Sequence, residues 1–165
     1  HVGAESAGNN GPQIKVGAPT YYIELQTGVI SIGIQNTISL VCQGVFERFP
    51  NLKIVLLEYG WTWIPGLMWR LDREWKSLRA EVPWVIKPPS DYIREHIRVG
   101  SQPLEVSNLQ HLHHTLEMMS AEKMMVFAGF NPHWDFDDPS YVMARLPKHM
   151  RKAFAYENAC ALYGL

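Results

Sequence analysis

Cysteine is nearly absent. The 165 residues hold only Cys42 and Cys160, far apart and with no CxxC pair. Two buried free thiols in a reducing compartment are therefore expected, and with them a cytoplasmic location. An excess of either charge is also missing, with a formal net charge of -1 at pH 7. No basic excess therefore points to nucleic acid or an anionic membrane as a partner. Long apolar runs free of polar residues are lacking too. The stretch from Gly28 to Phe49 comes closest, but Gln35, Asn36, Gln43, Glu47 and Arg48 interrupt it. It reads as a buried core helix, not a membrane span. No charged n-region or cleavage signal precedes the first residue, His1, so no signal peptide is expected. The expectation is a fragment, a processed product or the ordered part of a longer chain. No internal repeat or low-complexity tract is present.

What is there alternates. Residues 4 to 20 are rich in Gly, Asn and Pro and read as a loop. Ile30, Ile34, Ile38, Val41 and Val45 line one face of a helix over residues 21 to 49, against a competing strand-like alternation in ISIGI. Pro50 and Asn51 stop that helix. KIVLLE, residues 53 to 58, is a short apolar run of the kind buried on both faces of a parallel sheet. Leu67, Leu71 and Trp75 mark a helix over 63 to 78, and Ser90 is a candidate N-cap for a short helix through Glu95. IRVG at 97 to 100 and MMVFAG at 124 to 129 are two further strands, with a helix over 109 to 119 between them and helical pieces after residue 140. Three strands, each followed by a helix, predict an α/β fold with a parallel sheet. The leading helix implies one more strand near residue 1. That makes about half of an eight-unit barrel, which takes roughly 250 residues when whole.

Several stretches resemble one family. GVFERFPNLKIVLLEYGWTWIPGLMWRLDREW, PPSDYIREH, PHWDFDDP and NACALYGL are similar to the amidohydrolase-related family, in the branch of aminocarboxymuconate-semialdehyde decarboxylase. The resemblance covers nearly the whole chain. It implies that residues 1–165 form one partial domain, the C-terminal half of a distorted (β/α)8 TIM-type barrel, from the end of strand five to strand eight. It further implies a divalent metal, most often zinc, held by a His-x-His pair on the first strand, a His ending the fifth and an Asp ending the eighth. The His-x-His strand would precede residue 1. His1 falls at the fifth-strand His and is the candidate metal ligand. Glu58 and Gly60 match a Glu-Gly-Gly pattern, with Tyr59 in place of the first Gly. The eighth-strand motif usually reads like Ser-Asp-Tyr-Pro-His, and here Phe130 stands where the metal-binding Asp belongs.

Phenylalanine can neither bind a metal nor take a proton, and catalytic zinc normally needs three protein ligands. Asp135 lies five residues past Phe130 and would need another loop path to substitute. Glu58, ending a strand where barrel enzymes place their chemistry, is either catalytic or a buried carboxylate paired to an Arg. His133 and Trp134 are either substrate contacts at the barrel mouth or a hydrogen-bonded structural His beside a packing Trp. The His111–His114 cluster has no acid or thiol partner and reads as a solvated helix surface. Asp135, Asp137 and Asp138 lack the spacing of a calcium loop, and Asp138 before Pro139 reads as a helix start. The six tryptophans and seven methionines are expected mostly in the core.

The resemblance implies metal-dependent hydrolysis, or non-oxidative decarboxylation, of a small carboxylate-bearing substrate by the complete protein. The alternative is a non-catalytic family member, an interaction or structural protein without its metal. Half a barrel leaves strand edges and one side of a core uncovered, so a homo-oligomer or a complementing N-terminal barrel half is the expected partner.

Overall fold

A computed structural model describes residues 19–165. Three strands form one parallel sheet in the order β1 (Ile54–Leu56), β2 (Ile97–Gly100), β3 (Met125–Val126). Ile54 pairs with Ile97, Leu56 with Val99, and Val99 with Met125. Registered neighbours in a parallel sheet share a face, so these residues form one side, and all but Ile54 are buried. Val55, Arg98, Gly100 and Val126 form the other. A side chain on Gly100 would sit 2.9 Å from Leu57 and 3.1 Å from Ala128, so that second face closes tightly at its C-terminal end.

The helices fall close to the positions their periodicity predicts, except that the one helix expected over residues 21 to 49 is broken into three. They run α1 (Tyr22–Gly28), α2 (Ile30–Cys42), α3 (Val45–Arg48) and α4 (Ile64–Leu78), then α5 (Pro89–His96), α6 (Leu109–Met118), α7 (Ala121–Met124), α8 (Pro139–Arg145) and α9 (Asn158–Tyr163). Gly44, in the left-handed conformation at φ 67°, separates α2 from α3. Asp138 starts α8, accepting hydrogen bonds from the amides of Ser140 and Tyr141 at 2.8 and 3.1 Å. Ser90 does not cap α5, contrary to expectation. Pro88 holds that place, and Ser90 lies buried in the first turn, its amide donating to Asp72 of α4 at 2.8 Å. A free helix-terminal N–H is thus satisfied from the neighbouring helix.

The predicted core helix is only partly buried. Gly33, Thr37 and Val41 of α2 are covered, and Thr37 returns its hydroxyl to the Gly33 carbonyl at 2.8 Å. By length and composition alone, Tyr22–Cys42 is long and apolar enough to cross a membrane, with 17% of its most apolar window buried. The core proper lies between the sheet and α4 to α7, around Trp61, Ile93, Leu112, Leu116, Met124 and Phe154. Cys42 and Cys160 are free and half-buried.

His96 ties the end of α5 to the loop before β1. Its Nδ1–H donates to the Leu52 carbonyl at 2.8 Å, and its ring stacks on Phe46 at 4.4 Å. Burial pushes its pKa below the ordinary 6.5, helped by Lys53 and Lys87 and opposed by the Leu52 bond and by Glu95. The unfolded chain therefore takes up the proton first as pH falls. This part of the stability is full above 6.5 and is lost on acidification below it. In urea titrations between pH 7.5 and 5, His96→Gln is expected to flatten the decline in unfolding midpoint. An unchanged slope would refute the assignment.

Candidate active site

The C-terminal ends of the three strands open into three loops that are laced together. After β1 the chain turns through Glu58 and Gly60, both left-handed at φ 69° and 61°. Gly60 is required on two counts: its φ, and the carboxylate of Glu105, 2.4 Å from where a Cβ would stand. Glu105, in the loop after β2, accepts from the amides of Trp61 and Thr62, both at 3.0 Å. Trp61 in turn donates its indole N–H to the Ser101 carbonyl at 3.2 Å. The loop after β3 joins through Asp137, which accepts from the Leu104 amide at 2.7 Å and whose own amide donates to Gly129. Burial raises the pKa of Asp137 above its usual value, against the Leu104 hydrogen bond.

β1 ends at Leu56, short of the strand expected through Glu58, so Glu58 lies in the turn beyond it. It is exposed, and among the described residues it forms no ion pair. The expected alternative, a buried carboxylate held by an arginine, is not what the chain forms. A carboxylate held in a left-handed turn at a strand end is strained and solvent-facing, which are the terms on which active-site groups are often presented.

At the end of β3, Phe130 adopts φ 57°. An ordinary L-residue gives up about 1–2 kcal/mol to sit there, whereas Asp and Asn tolerate it. The backbone thus holds a conformation that Asp or Asn would take more readily than the aromatic residue present. The Phe130 ring lies 4.4 Å from the His133 ring. His133 is half-exposed and its Nδ1 is hydrogen-bonded to the carboxylate of Asp135. The Phe130 carbonyl and the Phe136 amide fix the intervening turn through the backbone of His133. Gln102 supports it from the loop after β2, donating its side-chain amide to the Asp135 carbonyl at 3.2 Å. Trp134 is 71% exposed, its ring 6.3 Å from Tyr22, and so is not the packing residue weighed above.

His133, Trp134 and Asp135 are thus brought together. Glu58 lies on the same strand-end face, and His1 lies outside the described residues. Of the His111–His114 run, His111 and His114 are exposed, while His113 bonds the Arg145 carbonyl at 2.9 Å. The pairing of Asp135 with His133 does not follow from reading Asp135 as a substitute metal ligand. The His-x-Asp spacing was its one signal. Glu105 and Asp137 gave no signal, since both act across loops distant in sequence.

The donors among the described residues do not fit a divalent metal. Among the described residues no three His, Cys, Asp or Glu side chains come together. Phe130 carries no donor, and His133 and Asp135 spend their facing atoms on each other. What the pair can do is acid–base chemistry. A neutral imidazole that donates Nδ1–H to a carboxylate presents Nε2 as the base.

No curated protein matches the chain. Among solved structures it is similar to an amidohydrolase from Mycobacterium avium subsp. paratuberculosis K-10, with 20% identity and a TM-score of 0.66. The match covers 80% of this chain and 33% of that one, so this chain spans about a third of that protein's length. The family model described as amidohydrolase matches residues 13–165. The chain therefore belongs to the amidohydrolase family, and its parallel strands are part of that family's TIM-type barrel.

Proposed function

We propose that the chain is the C-terminal half of an amidohydrolase barrel of the aminocarboxymuconate-semialdehyde decarboxylase branch. The complete protein then hydrolyses or non-oxidatively decarboxylates a small carboxylate-bearing substrate. The observation that carries this reading is the His133–Asp135 pair at the end of the last strand, where barrel enzymes place their chemistry. In hydrolysis, His133 Nε2 takes a proton from the attacking water and returns it to the leaving group. In decarboxylation His133 enters as the imidazolium, protonated at Nε2 as well. The C–CO2 bond breaks, CO2 leaves, the electron pair stays on carbon, and that carbon takes the Nε2 proton, returning His133 to the neutral imidazole. Asp135 holds the ring in the tautomer that leaves Nε2 free and steadies the imidazolium. Glu58 supplies a second carboxylate at the mouth, and Trp134 an exposed aromatic face for substrate.

Phe130 and the missing donor set favour a second reading, a family member that has lost its metal and acts as an interaction or structural protein. Metal analysis separates the two. This chain alone is expected to show no tight one-to-one zinc binding by isothermal titration at neutral pH. The full-length protein, if catalytic through the family's metal, carries zinc or manganese in stoichiometric amount. Stoichiometric metal in the full-length protein would end the non-catalytic reading, and tight zinc binding by this chain would end the claim that its donors are insufficient.

The proposal extends to assembly. β1 has no neighbour on its outer edge among the described residues, and Val55 and Leu57 on the open face are only half-buried. Such an edge recruits another chain, either a second copy or the N-terminal half of the barrel. Light scattering after size exclusion is expected to give a mass above that of one 165-residue chain. A stable species at that single-chain mass, with no other polypeptide on a gel, would rule this out.

A further inference from the structure

The opposite end of the sheet carries a second feature, independent of the site above. Lys53 lies just before β1, Arg94 and Arg98 flank the start of β2, and Lys123 precedes β3. These four side chains line one cleft of about 460 Å3, within the roughly 300–1,000 Å3 usual for small-ligand sites. Two carboxylates also line it, Glu95 and Glu122, so the cations outnumber the acids by two. Glu95 is drawn off to Lys87, outside the cleft, and Arg94 to Asp91 at 3.5 Å. Among the described residues Lys53 and Lys123 form no ion pair.

Arg98 is the fixed point. Its register partner is Val55, which places it on the open face of the sheet. One terminal nitrogen is spent on the carbonyls of Arg94, Glu95 and Ile97, at the C-terminal end of α5. That anchors the guanidinium and leaves its other two nitrogens without an acceptor among the described residues. A guanidinium held in a half-buried place with donors to spare is suited to an oxyanion. The Ser120 hydroxyl adds a neutral donor on the same lining. His96 lies there too, but burial keeps it uncharged at neutral pH.

We infer that this cleft binds a small phosphate-bearing anion, on Arg98 with Lys53 and Lys123 closing over it. The face lies away from the strand ends that carry catalysis in barrels, so occupancy acts on stability or regulation and not on the reacting atoms.

Isothermal titration of the full-length protein with pyrophosphate tests this. Saturable one-to-one binding is expected, weakening as sodium chloride is raised. Lys53→Ala combined with Lys123→Ala should weaken it by about tenfold or more. Both lysines are exposed, so the fold is expected to survive, checked by circular dichroism, and the double Lys→Arg variant should restore binding. His133→Ala should leave it unchanged, which separates this site from the proposed active site. Citrate at matched ionic strength should bind more weakly, and equal or tighter citrate binding would overturn the preference for phosphate. No saturable heat with millimolar pyrophosphate, or equal binding in the double alanine variant, would overturn the site itself.

Discussion

Trp61→Ala is expected to be the most damaging single substitution in the described chain. Trp61 is fully buried, and its loss removes the largest side chain from the junction of the β1 and β2 loops. Core Trp→Ala changes cost about 3–5 kcal/mol. For a chain of this length each kcal/mol shifts the midpoint by roughly 2–4 °C, so a fall of about 6–20 °C is expected by calorimetry. Part of the cost is polar, because the Ser101 carbonyl loses its indole donor. Trp61→Phe keeps most of the volume and loses only that bond, so it should cost about 1–2 kcal/mol. A Trp61→Ala midpoint within about 2 °C of wild type, equivalent to roughly one kcal/mol or less, would show that the loops are not held together through this residue.

His133→Ala carries the largest expected effect on activity. If His133 is the acid–base group, its removal should lower kcat of the full-length protein by about 10²–10⁴-fold. Asp135→Asn keeps the ring in place but weakens control of its tautomer, so its loss should be smaller and accompanied by a changed pH profile. His133 is half-exposed, so neither change should lower the melting midpoint by more than a few degrees, roughly one kcal/mol. Retention of full kcat in His133→Ala would remove this residue from the mechanism and leave Glu58 as the remaining candidate.

The helices and the order of strands could be read from the residues because both follow from local periodicity. The four-residue spacing from Ile30 onward outlasts the strand-like ISIGI, and a helix forms there. IRVG forms a strand over the predicted residues. The strand expected at 124 to 129 shrinks to Met125–Val126, and Phe127 donates instead to the Phe154 carbonyl, a partner far along the chain that no local pattern indicates. At the site, the strand ends and the polar loop after Gly129 were visible in the residues. The Glu105 and Asp137 tethers were not, because each carboxylate meets an amide in a different loop. The exposure of Glu58 likewise depends on the turn around it, not on the residue.

Tyr59 has a consequence for how this fold tolerates change. A side chain on Gly33 of α2 would meet the Tyr59 Cβ at 3.1 Å and the Trp63 ring at 3.2 Å. Much of the obstruction is therefore the tyrosine itself. Were Tyr59 trimmed to glycine, the Trp63 ring alone would stand against a larger residue at position 33. The two positions are bound as a pair, so that mass gained at one is surrendered at the other. Across homologues they should exchange together, a trade that neither position reveals when inspected alone.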